Sequence, residues 1–245
     1  MFKSSYVAFT LVAALLSGVA SASTVLVDRG LPTANLNNAA GTSRSNVAWT
    51  EIAGTNGYWV DGDTFKNTST LNWSINAIRM WTVEPNMSSA TLWGGVDGSA
   101  MGVVSSAGAI STVKYSDAST YQGSSGRFIA MQQVDFAVSI NLAAGQTYDF
   151  FLTGTGGTYP APFSHASNAS LSGSPQDGSD DSILWAWMDG TGLAVGGSWT
   201  SLGNGWDKAS DINVQVFGNA VPEPATLALF GLALAGLAVT RRRKA

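Results

Sequence analysis

Two clusters of carboxylates are the first residues whose spacing could carry chemistry: Asp61-Gly62-Asp63, and Asp177 with Asp180 and Asp181. Ca²⁺ takes oxygen ligands and needs neither cysteine nor histidine, so D-G-D and D-x-x-D-D each place carboxylates close enough to share a structural ion. Neither is a complete EF-hand loop or calcium-binding repeat, and the competing expectation is ordinary Asx turns with solvated carboxylates. Glycan hydrolysis would need two carboxyls facing one scissile bond, roughly 5 Å or 6.5–9.5 Å apart. Between residues 23 and 220 the only glutamates are Glu51 and Glu84, and the aspartates fall mainly in Gly/Ser-rich turns. A Ser-His-Asp triad would have to use the single histidine, His165, which lies in a polar stretch and is expected to be a solvated loop residue. The chain has no G-x-S-x-G elbow, and P-loop and dinucleotide fingerprints lack their strand-to-helix context. With no cysteine and one histidine, disulfides, thiolate metal centres and multi-histidine sites are excluded. No catalytic residue is assigned, and the protein is expected not to be an enzyme.

The second chemical resource is aromatic. All nine tryptophans lie between residues 23 and 220. Trp59, Trp93, Trp199 and Trp206 sit beside Gly-rich turns, where a rim-exposed indole would stack on a sugar ring. Trp81, Trp185 and Trp187 sit in strand-like runs, where core packing is the default. Trp185 and Trp187 would share one sheet face, as would Arg79 and Trp81.

Strands must position these groups. Phe136, Val138, Ile140 and Leu142 alternate with small or polar residues, and Ile212, Val214 and Val216 repeat the pattern. Further runs rich in β-branched and aromatic residues cover 24–28, 46–50, 64–67, 74–83, 90–94, 110–115, 127–132, 146–153 and 182–188, bounded by Gly, Asn, Asp and Ser. No window carries a sustained 3.6-residue apolar stripe, and 28 glycines oppose one. The expected fold is all-β: a single antiparallel, jelly-roll-like sandwich over residues 23–220, with a closed barrel as the alternative. Residues 154–182 read as a long, mobile polar surface loop, with a short helix over 166–171 as the lesser alternative.

Both ends differ from this body. Residues 1–22 place Lys3 before an apolar stretch and finish in Val19-Ala20-Ser21-Ala22, the A-x-A-like cleavage pattern of a secretory signal peptide, expected to be cut after Ala22. Residues 221–245 contain Pro222-Glu223-Pro224, an uncharged apolar run over 225–240, and Arg241-Arg242-Arg243-Lys244. Sixteen helical residues rise about 24 Å, a marginal membrane span, and the basic cluster behind them would stay cytoplasmic. The whole chain has 12 Lys+Arg against 16 Asp+Glu, a formal −4. Removing five basic residues and Glu223 with the two ends leaves a domain near −8, with no basic footprint for nucleic acid.

The tail resembles the PEP-CTERM sorting signal, with Pro222, Glu223 and Pro224 as its motif and Arg241, Arg242 and Arg243 as its basic end. That resemblance implies export by the Sec machinery and processing by an exosortase. It further implies a transient inner-membrane anchor and delivery to the cell surface or extracellular matrix of an exopolysaccharide-producing Gram-negative bacterium. Asp28-Arg29-Gly30-Leu31-Pro32, followed by an Asn- and Ala-rich stretch from Asn35 to Gly41, is similar to the start of other such ectodomains and implies no activity. The expected role is structural or adhesive, within a biofilm or exopolysaccharide matrix. The alternative is a glycan-binding module, with or without Ca²⁺, and a polysaccharide hydrolase or lyase ranks below both.

Overall fold

The computed structural model describes residues 23–32, 47–48, 57–82, 86–115, 121–122, 128–129, 131–155, 164–165, 177–178, 182–199 and 211–221, with backbone alone at 47–48, 121–122, 128–129 and 199. The signal peptide, the sorting helix and the alternative helix at 166–171 lie outside these residues. Within them every regular element is a strand, and none is a helix long and apolar enough to cross a membrane.

In chain order the strands are β1 (Thr24–Asp28), β2 (Val47–Ala48), β3 (Gly57–Lys66), β4 (Asn72–Thr82), β5 (Ser89–Val96), β6 (Gly102–Ser105), β7 (Ala109–Val113) and β8 (Tyr121–Gln122). They continue with β9 (Phe128–Ile129), β10 (Met131–Leu142), β11 (Thr147–Thr155), β12 (Ser164–His165), β13 (Ile183–Asp189), β14 (Gly192–Trp199) and β15 (Val214–Val221). One antiparallel sheet runs β1-β15-β4-β10-β7, with β12 joining β4 at Thr82 and β2 beyond it. The other runs β14-β13-β3-β11-β5-β6, and β8 pairs with β9.

The two sheets share one core because strand alternation sends their apolar residues to a common side. Ile75, Ile78, Met80, Val134, Phe136 and Val216 from the first sheet meet Phe65, Leu92, Phe150, Leu152 and Ile183 from the second. Full burial of a Phe or Ile contributes about 1.5–3 kcal/mol each. The face of Phe136, Val138, Ile140 and Leu142 anticipated from alternation is the core face, although the β10–β4 register shifts between Ala137 and Ile140. A smaller cluster of Val60, Phe151, Ala186, Met188 and Leu193 covers the opposite face of the second sheet.

Four strands, β6, β8, β12 and β14, fall where sequence patterning predicts none. β14 is rich in glycine, which opposes strand formation, yet it closes a hairpin with β13 across Gly190-Thr191, where the Asp189 carboxylate accepts from Thr191 N at 2.7 Å. β6 adds to the edge beside β5. β12 lies inside the expected loop, and it corrects the reading of His165: the imidazole is fully buried, with Nδ1 2.8 Å from Asn213 Oδ1.

A candidate binding platform and the charge cluster behind it

β3 and β13 pair in register, so Trp187 lies opposite Trp59 and Trp185 opposite Asp61. These four side chains occupy the sheet face that also carries Asp63 and Phe65. The Trp59 ring centroid stands 4.5 Å from that of Trp185 and 4.9 Å from that of Trp187, both edge-to-face at 71°. Glycines make room for two of the rings: a β-carbon on Gly57 would come within 2.7 Å of Trp187, and one on Gly196 within 1.8 Å of Trp185. Gly196 is the extra residue of the bulge between the Trp185–Gly197 and Ala186–Val195 pairs. Each of these indoles therefore lies over a residue with no side chain.

All three indoles are partly exposed. That corrects the core assignment of Trp185 and Trp187: alternation gives the face, but not how far the opposing sheet covers it. Ile183, on the same face of β13, is the residue that reaches the shared core. Of the other rim candidates, Trp93 lies on the opposite face of this sheet and donates from Nε1 to Thr153 Oγ1 at 3.0 Å. The Trp199 side chain and Trp206 lie outside the described residues. Clustered, half-buried indoles offer broad apolar faces with a polar N–H at the rim, which is what stacking against the C–H face of a pyranose requires.

Asp61 sits beside this platform, 3% exposed, and its Oδ2 has no hydrogen-bond partner among the described residues. Burial raises its pKa well above the ordinary value and favours the neutral carboxyl. Asp63, two residues along the same face, is occupied differently. Its Oδ1 accepts from Thr64 N at 2.6 Å, and its Oδ2 accepts from Ile212 N at 2.6 Å and Arg29 Nη1 at 2.7 Å. Arg29 is itself fully buried, lies 3.6 Å from Asp211, and donates to the carbonyls of Thr64, Asp177 and Gly178. Its own carbonyl accepts from Asn213 Nδ2 at 2.9 Å. One guanidinium thus fastens the end of β1, the middle of β3, the turn at 177–178 and the approach to β15.

This geometry also corrects the expectation of solvated Asx turns at Asp61 and Asp63, since both carboxyls are on a strand and buried. Any ion at Asp61 would have to draw on oxygens other than those of Asp63, which already hold N–H donors. Asp177 Oδ2 accepts from Asp28 N at 2.9 Å, while Asp180 and Asp181 lie outside the described residues. Sequence reasoning missed Arg29 as an anchor, and its place in Asp28-Arg29-Gly30 beside a strand end was the available signal.

The buried carboxyls make stability depend on pH in an uncommon direction. Burial lifts Asp63 from 3.8 to about 7, against the opposing pull of Arg29, and Asp61 is also raised. The folded domain therefore holds protons that the unfolded chain releases. This contribution is complete below about pH 3.8 and is lost as pH rises through about 7. Asp189 is shifted the other way, lowered by its hydrogen bonds to Thr191, so it acts only below that window. Thermal melts are expected to give a higher Tm near pH 5 than near pH 8, with the difference shrinking in Asp63→Asn. A Tm that climbs steadily over the same range contradicts the assignment.

At the other end of this framework, β15 runs to Val221, directly before Pro222-Glu223-Pro224. Residues 220–244 match the PEP-CTERM protein-sorting motif. The PEP-CTERM segment implies processing by an exosortase and a sorted, exported surface protein. Comparison with curated proteins gives no match. The PEP-CTERM match takes in the last two residues of β15, Ala220 and Val221, so the folded domain runs directly into its sorting signal.

Proposed function

We propose that this is a non-catalytic surface protein that holds extracellular polysaccharide through the Trp59/Trp185/Trp187 platform and so serves a structural or adhesive role in the matrix. Export begins with cleavage after Ala22, and the PEP-CTERM segment then passes the domain to an exosortase. The observation that carries the binding half of this reading is the edge-to-face trio of indoles, two of them seated over glycines and all three left partly open. A neutral polymer suits it better than an acidic one, because a domain near −8 repels polyanions. Binding without hydrolysis fits the carboxyls nearby: both oxygens of Asp63 are taken up within the fold by Arg29, Thr64 N and Ile212 N, which leaves Asp61 without a second free carboxyl on that face.

A glycan-array screen of the purified protein, with and without Ca²⁺, tests the binding half. Retention on at least one neutral polysaccharide is expected, and failure on every glycan removes the platform's role. The sorting half is tested by deleting residues 222–245, which should abolish processing and surface delivery. Normal surface display of that truncated chain would refute it.

A further inference from the structure

The strand registers place the chain's two outward connections and the indole platform at opposite ends of the sandwich. Val221, the last residue of β15, pairs with Asn72, the first of β4. On the other side of β15, Thr24 of β1 pairs with Gly218, and Ser23 Oγ donates to Asn76 Oδ1 at 3.0 Å. The amino-terminal and carboxy-terminal connections therefore leave side by side. The same end is closed by the turns at 67–71 and 143–146, where each chain crossing passes from one sheet to the other. Asn67 binds both turns into one plate: its Nδ2 donates to the carbonyls of Leu71 at 2.8 Å and Leu142 at 3.1 Å, and its carbonyl accepts from Gly145 N at 2.9 Å. Residues 68–71 and 143–146 are themselves uncharged, and the charges at their rim are one of each sign: Lys66, and Asp97, whose carboxylate accepts from Gln146 Nε2 at 3.4 Å and Thr147 N at 2.8 Å.

The platform lies far from this plate. β3 runs from Gly57 to Lys66, about 30 Å at a strand's ordinary rise, and Trp59 stands near its far end, beside the β13–β14 turn. Twenty-four residues follow Val221, among them the apolar run 225–240. Only Pro222-Glu223-Pro224 stands between Val221 and that run, and three residues reach at most about 10 Å, too short to carry the run round to the far end of β3.

We infer that the plate of residues 67–71 and 143–146 is the surface this protein turns toward the lipid bilayer, and that the fold thereby holds the indole platform at the outer, membrane-distal end. This rests on reading the PEP-CTERM segment as membrane-directed. It adds that the tail can be tethered without opening β15, and that cleavage after Ala22 leaves Ser23 at this same end. A membrane surface is the occupant that the position of Val221 and the neutral plate select.

The chain contains no cysteine, so single labels report without background. Ala144→Cys lies on the plate and Gly190→Cys at the far turn, where an added side chain meets nothing within 4 Å. Each full-length variant, fluorescently labelled, is reconstituted into phosphatidylethanolamine/phosphatidylglycerol vesicles carrying a nitroxide on a fraction of the headgroups. The label at 144 is expected to be quenched at least about twofold more than the label at 190. Equal quenching, or stronger quenching at 190, in protein that floats with the vesicles overturns the orientation and leaves the sorting reading intact. Full-length protein that does not float overturns both.

Discussion

Replacing Arg29 by alanine is expected to destabilise the domain by about 3–5 kcal/mol, the range for breaking a buried ion pair by removing one partner. The variant takes the guanidinium away from two buried carboxyls, Asp63 and Asp211, and deprives the carbonyls of Thr64, Asp177 and Gly178 of their donor. Against a typical total stability of about 5–15 kcal/mol, that loss reaches the fold itself. The damage would fall on every segment the guanidinium joins, so β1 and β15 are expected to loosen together. Arg29→Lys keeps the charge but cannot span the same set of acceptors, and it is expected to fall between wild type and alanine. Urea unfolding measures all three. A loss below about 1 kcal/mol in Arg29→Ala would show that the cluster does not hold the sheets together.

Removing the central ring of the platform should have the largest effect on binding. Trp59 touches both Trp185 and Trp187, so Trp59→Ala takes away one stacking face and the edge contacts that orient the other two. Central aromatic anchors are commonly worth about 2 kcal/mol or more, so affinity for a retained polysaccharide is expected to fall roughly thirtyfold. Because Trp59 is partly exposed and outside the shared core, the melting temperature should change little. Trp93→Ala is the matched control: it lies on the opposite face and holds Thr153, so it should cost stability and spare binding. Reversal of that pattern, with Trp93→Ala abolishing binding and Trp59→Ala preserving it, would move the site to the other face.

Much of this architecture could be read from residue order. β1 spans the anticipated run 24–28, and the alternating residues of β10 and β15 point their apolar side chains into the core as patterning requires. The sorting tail was legible because its motif, apolar run and basic cluster are contiguous. What escaped were relations set by the partner strand rather than by the strand itself. β14 holds its glycines because Trp185 needs the space above Gly196, a requirement written in β13. His165 is buried because Asn213, 48 residues away, meets it. Asp61 and Asp63 looked like turn residues because D-G-D is turn chemistry, yet Gly62 serves a close approach: a β-carbon there would fall 2.2 Å from the Phe151 ring. The indole trio was half visible. Trp59 stands out by its place beside a Gly-rich turn, whereas periodicity sends its two partners inward and does not show where one sheet stops covering the other.

The most direct test of the central claim is hydroxyl-radical footprinting of the protein on intact cells, read tryptophan by tryptophan before and after the surface polysaccharide is stripped. Trp59, Trp185 and Trp187 are expected to be oxidised less while the polysaccharide is present and to gain reactivity together when it is removed, with Trp93 unchanged. Equal oxidation of the three indoles in both states would contradict a polysaccharide-holding platform.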